Sequence, residues 1–116
     1  MKFIEEINQK YCDGLVFVST HVEDNSLIIE CKHGKEIVKF KFEHYCSFMV
    51  RQEVTALDKR VRKDRNKIIV RSEKSWFINE VEKRNEFLFK PIIHYTILCE
   101  FEVIDIATYS EMVIIN

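Results

Sequence analysis

Two segments of alternating apolar residues on either side of Gly34-Lys35 constrain the fold of this chain more than any other feature. Residues 27–33 and 36–42 have the period of β-strands, and a glycine-containing dipeptide between such segments predicts a tight hairpin. In this register the numbers of paired residues sum to 69, and a one-residue slip would scatter the apolar side chains over both faces. On the polar face Glu30 lies opposite Lys39, which is a favourable cross-strand pair. The pairs that share the apolar face are Leu27 with Phe42, Ile29 with Phe40, and Cys31 with Val38.

The segment before this hairpin predicts a helix followed by a strand. Apolar residues recur near the N-terminus with the spacing of one helix face, and Gly14 is placed to follow the helix end. The residues of that face are Phe3, Ile4, Ile7 and Tyr11.

The second half of the chain predicts a further helix between strands. Ser72 or Ser75 can cap this helix, and Pro91 cannot continue it. Phe101, between the last two long strands, is expected to be an exposed apolar tip. The predicted buried stripe of the helix is Trp76, Phe77, Val81 and Leu88. The predicted strands outside the hairpin are residues 15–22, 46–50, 67–71, 92–99, 103–108 and 112–115.

Together these elements predict an α+β fold with residues 1–116 as a single domain. The length leaves no room for two cores, and a hydrophobic content of 47% is sufficient for one. We expect a curved, mainly antiparallel sheet of about five to seven strands, with an N-terminal helix and one or two further helices covering one face. Residues 112–115 would form an edge strand, and an open edge favours pairing with a second copy, which makes a homodimer one expectation.

Composition excludes several classes of protein. The chain has only two glycines and one proline, so it cannot build the glycine-rich loops that cradle phosphates in nucleotide-binding proteins. It has no run of about 18 apolar residues, so no membrane span is predicted. The acidic N-terminal segment does not have the pattern of a signal peptide, and we expect a cytoplasmic protein. The four cysteines form no C-x-x-C pair and are expected to be reduced, buried thiols.

One arrangement of cysteine and histidine resembles a zinc ligand set. Cys31-x-His33 and His44-x-Cys46 each place two ligands on one face of a strand. The hairpin register argues against a shared metal, because His44 would lie about 26 Å from His33 at about 3.3 Å per residue. The sequence therefore predicts no metal and no other cofactor.

The sequence contains no recognisable catalytic signature. His94 lies in a predicted strand, and a general base needs a partner within hydrogen-bond reach and a cleft. The simplest interpretation is a partly buried His94 with satisfied hydrogen bonds, and an Asp105 that points outward between Ile104 and Ile106. We therefore expect a protein that is not an enzyme, with an enzyme of unrecognised site as an alternative.

Positive charge is concentrated in residues 59–71. This segment holds seven Lys or Arg residues and one acid, Asp64, for a local charge of +6, while the chain as a whole has a net charge of −1. The spacing of Val54, Leu57 and Val61 predicts a helix whose exposed side carries the first of these cations, and Ile68 and Val70 are expected to face inward from the strand that follows. The candidate binding residues are Lys59, Arg60, Arg62, Lys63 and Arg65.

Three interpretations of this basic segment remain open. It can be a solvated helix face without a partner, a surface for an acidic protein, or a contact for nucleic-acid phosphates. The acidic remainder of the chain and the lack of interleaved aromatic residues disfavour nucleic acid.

Several local patterns resemble those of small bacterial cytosolic proteins, some of which look like immunity proteins of polymorphic or contact-dependent toxin systems. The patterns are Phe42-x-x-Tyr45-x-x-Phe48-x-x-Arg51-x-Glu53, Trp76 at a helix start, His94-Tyr95-Thr96-Ile97, and Ile104-Asp105-Ile106-Ala107. The chain departs from the pattern at Glu111-Met112, where Glu-Pro is expected. The resemblance implies an α+β fold and a binding role, and it implies no chemistry.

The expected function is that of a non-enzymatic protein-binding module, in the manner of a toxin-immunity protein with an unknown protein partner. The alternative from a different class is a nucleic-acid-binding accessory protein that uses residues 59–71.

Overall fold

The computed structural model describes residues 2–11, 14–52, 68–84 and 91–115. Over these residues the protein is α+β, as predicted, with the N-terminal helix present. The predicted helix through Val54, Leu57 and Val61 lies outside the described residues. The elements in chain order are α1 (Lys2–Lys10), β1 (Val16–Glu23), β2 (Ser26–His33), β3 (Glu36–Phe42), β4 (Tyr45–Gln52), β5 (Ile69–Ser72), α2 (Trp76–Arg84), β6 (Ile93–Leu98), β7 (Glu102–Thr108) and β8 (Val113–Ile115).

The strands form two antiparallel four-stranded sheets. The first sheet has the order β1-β2-β3-β8 and the second has the order β4-β7-β6-β5. The prediction of one sheet of about five to seven strands was therefore too low in strand number, since the described residues form eight strands, and these are divided between two sheets. The difference arises from pairings between strands far apart in the chain, since β8 returns to pair with β3 and β7 lies between β4 and β6. Local periodicity carries no information about such pairings.

The β2–β3 hairpin has the predicted register throughout. Gly34 has a φ of +63°, which a residue without a Cβ adopts at little cost. The β1–β2 turn is built from Asp24 and Asn25, whose φ values of 50° and 65° are tolerated best by these residue types and glycine. The predicted apolar face is fully buried, at Leu27, Ile29, Cys31, Val38, Phe40 and Phe42.

The two sheets pack face to face, and their inward side chains form one apolar core. Helix α1 contributes Ile7 and Tyr11 to this core. The Sγ atoms of Cys31 and Cys99 lie 3.8 Å apart within it, and both thiols are fully buried. The prediction of buried core thiols is thus confirmed for this pair.

Helix α2 packs on the opposite face of the second sheet. There Phe77, Ile78 and Val81 form a second, smaller apolar cluster with Ile92 and Ala107. The second sheet is consequently covered on both faces, which explains why nearly every residue of its central strand β7 is buried.

The start of α2 follows one of the two predicted caps. Ser75 is the cap, because the Ile78 N–H donates to Ser75 Oγ over 3.1 Å. Trp76 was expected in the buried stripe but is 44% exposed. The buried stripe instead contains Ile78, which lies next to Phe77 on the side of α2 that faces the sheet. Leu88 lies outside the described residues.

Three further predictions concern the strand ends and turns. Strand β8 is an edge strand, as expected for residues 112–115. Phe101 lies in the β6–β7 turn and is 68% exposed, which confirms it as an apolar tip. Gly14 has a positive φ of 110°, but α1 already ends at Lys10, so Gly14 does not directly follow the helix.

The outer edge of β5 is covered by a side chain of α1. Asn8 Oδ1 accepts the backbone N–H groups of Ile68 over 2.7 Å and of Ile69 over 2.8 Å. The Asn8 side-chain amide donates back to the Ile69 carbonyl over 3.2 Å. One amide side chain thus takes the place of a neighbouring strand at the start of β5 and satisfies three backbone groups there.

We predict that Asn8→Ala destabilises the protein by about 1–3 kcal/mol, because three backbone groups of the β5 edge lose their partner. Gln9→Ala is the matched control, since Gln9 is exposed on the same helix and should change stability by less than about 0.5 kcal/mol. Urea unfolding monitored by circular dichroism measures both. Equal midpoints for the two variants would contradict the bridging role of Asn8.

Candidate functional site

The five basic residues proposed as a binding surface, Lys59, Arg60, Arg62, Lys63 and Arg65, lie outside the described residues. Of the basic segment the structure describes only residues 68–71. Ile68 is buried, as expected, but the strand residue that joins the core is Ile69, and Val70 is only half-buried. Arg71 donates to Glu111 over 2.9 Å and to Glu73 over 3.3 Å, so its charge is paired with carboxylates of the same chain.

Arg71 and Glu111 belong to a polar cluster that holds the chain before β8. The Tyr95 hydroxyl donates to Glu111 and accepts the N–H of Met112. The hydrogen bond from Tyr95 lowers the pKa of Glu111 below its usual value, and burial raises the pKa of Tyr95. We interpret this cluster as structural, since it fixes the position at which β8 enters the first sheet.

A second polar cluster lies on the face of the second sheet that α2 covers. Its centre is Asp105, whose side chain is 2% exposed. The Arg51 guanidinium donates to Asp105 Oδ2 from Nε over 3.2 Å and from Nη2 over 2.8 Å. Asp105 was expected to point outward, and it does face away from the main core, but it is not exposed. It is buried there because Arg51 and the neighbouring side chains cover it.

His94 joins the same carboxylate from the adjacent strand. Its Nε2 lies 2.7 Å from Asp105 Oδ1, and its Nδ1 lies 2.8 Å from Ser75 Oγ. The Thr96 hydroxyl donates to Asp105 Oδ1 over 3.0 Å. An ionised carboxylate only accepts hydrogen bonds, so the His94 Nε2 carries the proton shared with Asp105. When the ring is neutral, the Nδ1 lone pair accepts the Ser75 hydroxyl proton, and when the ring is protonated, Nδ1 donates to Ser75 Oγ instead.

The pKa of Asp105 shows which form of this cluster is stable. Burial by itself raises the pKa of a carboxyl group, but the hydrogen bond from His94 and the charges of His94 and Arg51 outweigh it. The net result is a pKa below the usual value for Asp105. The carboxylate therefore stays ionised in the folded protein.

Strand register explains how these side chains meet. Thr96 pairs with Asp105 across β6 and β7, and alternation along β6 places His94 on the same face as Thr96. Strand β4 lies on the other side of β7 and brings Arg51 alongside. The N-terminus of α2 lies above them and places Ser75 at the open end of the cluster.

Two aromatic residues of α2 border the cluster. The Phe77 ring packs against the His94 ring with centroids 4.9 Å apart. The Trp76 ring lies over the Arg51 guanidinium at 5.6 Å and remains partly exposed. His94 has hydrogen-bond partners, as predicted, but it is buried instead of partly buried. The sequence analysis missed Ser75 and Asp105 as its partners and Arg51 as the second partner of Asp105. Two features of the sequence could have indicated this cluster: the charged Asp105 in the middle of the apolar strand β7, and His94 two residues before Thr96 in the adjacent strand.

A different kind of surface lies on the outer face of the first sheet. Pairing along the strands places four exposed aliphatic side chains and three lysines on this face, which we call the lysine face. Three rows of paired residues define this face, and the only acidic residue in them is Glu30, whose carboxylate lies 3.8 Å from the Lys39 ammonium. The lysine face contains Val16, Lys32 and Ile37 in one row, Ser19, Glu30, Lys39 and Ile115 in the next, and His21, the buried Ile28, Lys41 and Val113 in the third.

Within the described part of the chain, no group of three or more His, Cys, Asp or Glu side chains is placed to hold a metal ion. Neither of the two described helices has the length and apolar character needed to cross a membrane. Comparison of the chain with protein-family models, with curated proteins and with solved structures finds no match.

We predict that Asp105→Asn destabilises the protein by about 3 kcal/mol at pH 7, because it removes the buried carboxylate that accepts hydrogen bonds from Arg51, His94 and Thr96. Glu73→Gln is the control, since Glu73 is an exposed ion-pair partner and should contribute less than about 0.5 kcal/mol. Guanidinium unfolding of both variants measures the difference.

Comparison of the wild type with Asp105→Asn also gives a prediction of how stability depends on pH. Its folded-state pKa is lowered, so its stabilisation is fully present above the unfolded-state pKa of about 3.9 and is lost as the pH falls through the folded-state value. The stability gap between wild type and Asp105→Asn should still be present at pH 5 and should close only below about pH 4. A gap that already closes between pH 7 and pH 5 would contradict an ionised Asp105.

Proposed function

We propose that this protein is a protein-binding module and that its lysine face contacts an acidic surface of a protein partner. The observation that carries the proposal is the combination of exposed aliphatic side chains and lysines on one open sheet face. Val16, Ile37 and Val113 are each more than two-fifths exposed, at 42%, 46% and 44%, with the first two in one row of that face and Val113 in another. Aliphatic side chains supply buried area on binding, and the cations supply attraction and orientation.

The chemistry of the partner follows from the charge of this face. The three rows contain three lysines and one glutamate, and this glutamate forms an ion pair with one of the lysines. An acidic partner surface would approach faster and dock in one orientation, because opposite charges steer the encounter. The exposed apolar residues of the face are aliphatic, whereas single-stranded nucleic acids are bound by aromatic rings that stack on bases. This difference favours a protein over a nucleic acid as the occupant.

The resemblance to immunity proteins supports a specific form of this proposal, in which the partner is a toxin that the module occludes. Immunity proteins act by binding and need no catalytic chemistry of their own. A neighbouring gene for a large secreted toxin-like protein would support this form, and the lack of one would count against it.

The lysine face is tested by affinity capture from the native cytosol at low and high salt with wild type and two variants. Ile37→Asp should weaken binding of the captured protein by about 2 kcal/mol, or roughly 30-fold in Kd, because it replaces an exposed aliphatic side chain of the lysine face with an acid that an acidic partner repels. Phe3→Asp is the matched control, since Phe3 is an equally exposed apolar residue on α1 and should leave binding unchanged.

The outcomes of this experiment distinguish the lysine face from another surface, a homodimer and nucleic-acid binding. Loss of binding in Ile37→Asp but not in Phe3→Asp, with capture reduced at high salt, supports the proposal. Equal binding by both variants contradicts it and would point to another surface. Capture of a second copy of the chain alone would make the open β8 edge and a homodimer the better explanation. Retention on a polyanion at low salt that Ile37→Asp does not alter would favour nucleic acid and residues 59–71 instead.

A further inference from the structure

The hydrogen bonds of Ser75 exceed what a helix cap requires. A capping serine needs only one oxygen lone pair, which here accepts the Ile78 N–H over 3.1 Å. Ser75 Oγ also lies 2.8 Å from His94 Nδ1, and in the neutral form of the ring the hydroxyl proton is donated to this nitrogen. The opposite nitrogen of that ring is held by the buried carboxylate of Asp105 over 2.7 Å. Serine, imidazole and carboxylate are thus connected in series.

We propose that Ser75 is an activated nucleophile that reacts with small carboxylic esters and related acylating electrophiles, with His94 as its general base. This series is the arrangement by which unrelated folds activate a serine, and it is recognised by geometry and not by sequence order. Here the serine meets Nδ1 and the carboxylate meets Nε2, but the roles of the two nitrogens are equivalent once the tautomer is fixed. Asp105 fixes that tautomer and is a positioning residue.

The surroundings of Ser75 supply the other parts that such a reaction needs. Ser75 precedes the first residue of α2, so the N–H groups of Trp76 and Phe77 have no partner within the helix. These donors, together with the positive end of the helix dipole, would stabilise an oxyanion formed next to Ser75 Oγ. Ser75 is only partly buried, in contrast to His94 and Asp105, so an electrophile can approach it from solvent.

The reaction with an ester is balanced as follows. A bond forms between Ser75 Oγ and the carbonyl carbon, and the hydroxyl proton passes to His94 Nδ1. The bond from the carbon to the leaving alkoxide then breaks, and the alkoxide takes the proton from His94. Water attacks the acyl-serine in the second half by the same route and releases the carboxylic acid. No oxidant, metal or other co-reactant is required.

The proposal is tested with a fluorophosphonate probe, which forms a Ser–phosphorus bond and releases fluoride. Intact-mass and peptide mass spectrometry of the full chain should find one adduct, at Ser75. Ser75→Asn keeps a good helix cap and should abolish the adduct, whereas Ser72→Ala should not change its rate. Ser72 is the matched control because it pairs with His94 across β5 and β6. Among the described residues its hydroxyl group bonds to the Lys74 backbone and not to the His94 ring.

His94→Gln should slow the labelling of Ser75 by about 100-fold or more, because the general base is lost. If circular dichroism shows that this variant is unfolded, wild type in urea replaces it, and labelling should fall by a similar factor as the alignment with His94 is lost. An unlabelled native protein, a rate at Ser75 no greater than at Ser72, or labelling unaffected by both treatments would overturn the proposal and leave Ser75 as a helix cap.

Discussion

A carboxylate that is almost completely removed from water remains ionised only where cations and hydrogen-bond donors replace the lost solvation. Asp105 meets this condition in the middle of the central strand of the second sheet, with Arg51, His94 and Thr96 as its donors. Each donor comes from a strand next to β7 in the sheet order. The requirement to compensate one charge therefore ties together three strands, and through His94 and Ser75 it ties the start of α2 to them.

The second sheet has two faces of different chemistry as a result. Its inner face packs against the first sheet through apolar side chains, among them Ile97, Ile104 and Ile106, which are fully buried. Its other face is apolar only beneath Phe77, Ile78 and Val81 of α2. A polar cluster on a covered face costs more than apolar packing would, so it contributes specificity and order more than net stability. This is the physical reason to look for a chemical role at Ser75.

The two proposed roles occupy opposite sides of the sandwich. The lysine face is the outer side of the first sheet, while Ser75 lies on the outer side of the second, and the apolar core separates them. A partner on the lysine face would leave Ser75 accessible, so binding and reactivity can be measured independently. The basic residues from Lys59 to Arg65, which the sequence singles out for their charge, lie outside the described residues, and their role as a binding surface stays a prediction.

The sequence by itself determined the local structure, including the hairpin register about Gly34, the N-terminal helix, a serine cap at position 72 or 75 and the exposed tip at Phe101. These follow from period, turn chemistry and capping, which act between residues close in the chain. Only the tertiary structure decided that the strands divide into two sheets, that Asn8 replaces a strand beside β5, and that Asp105 is buried against Arg51 and His94. Those features depend on contacts between residues distant in the chain, whose partners are selected by packing and charge compensation across the whole fold.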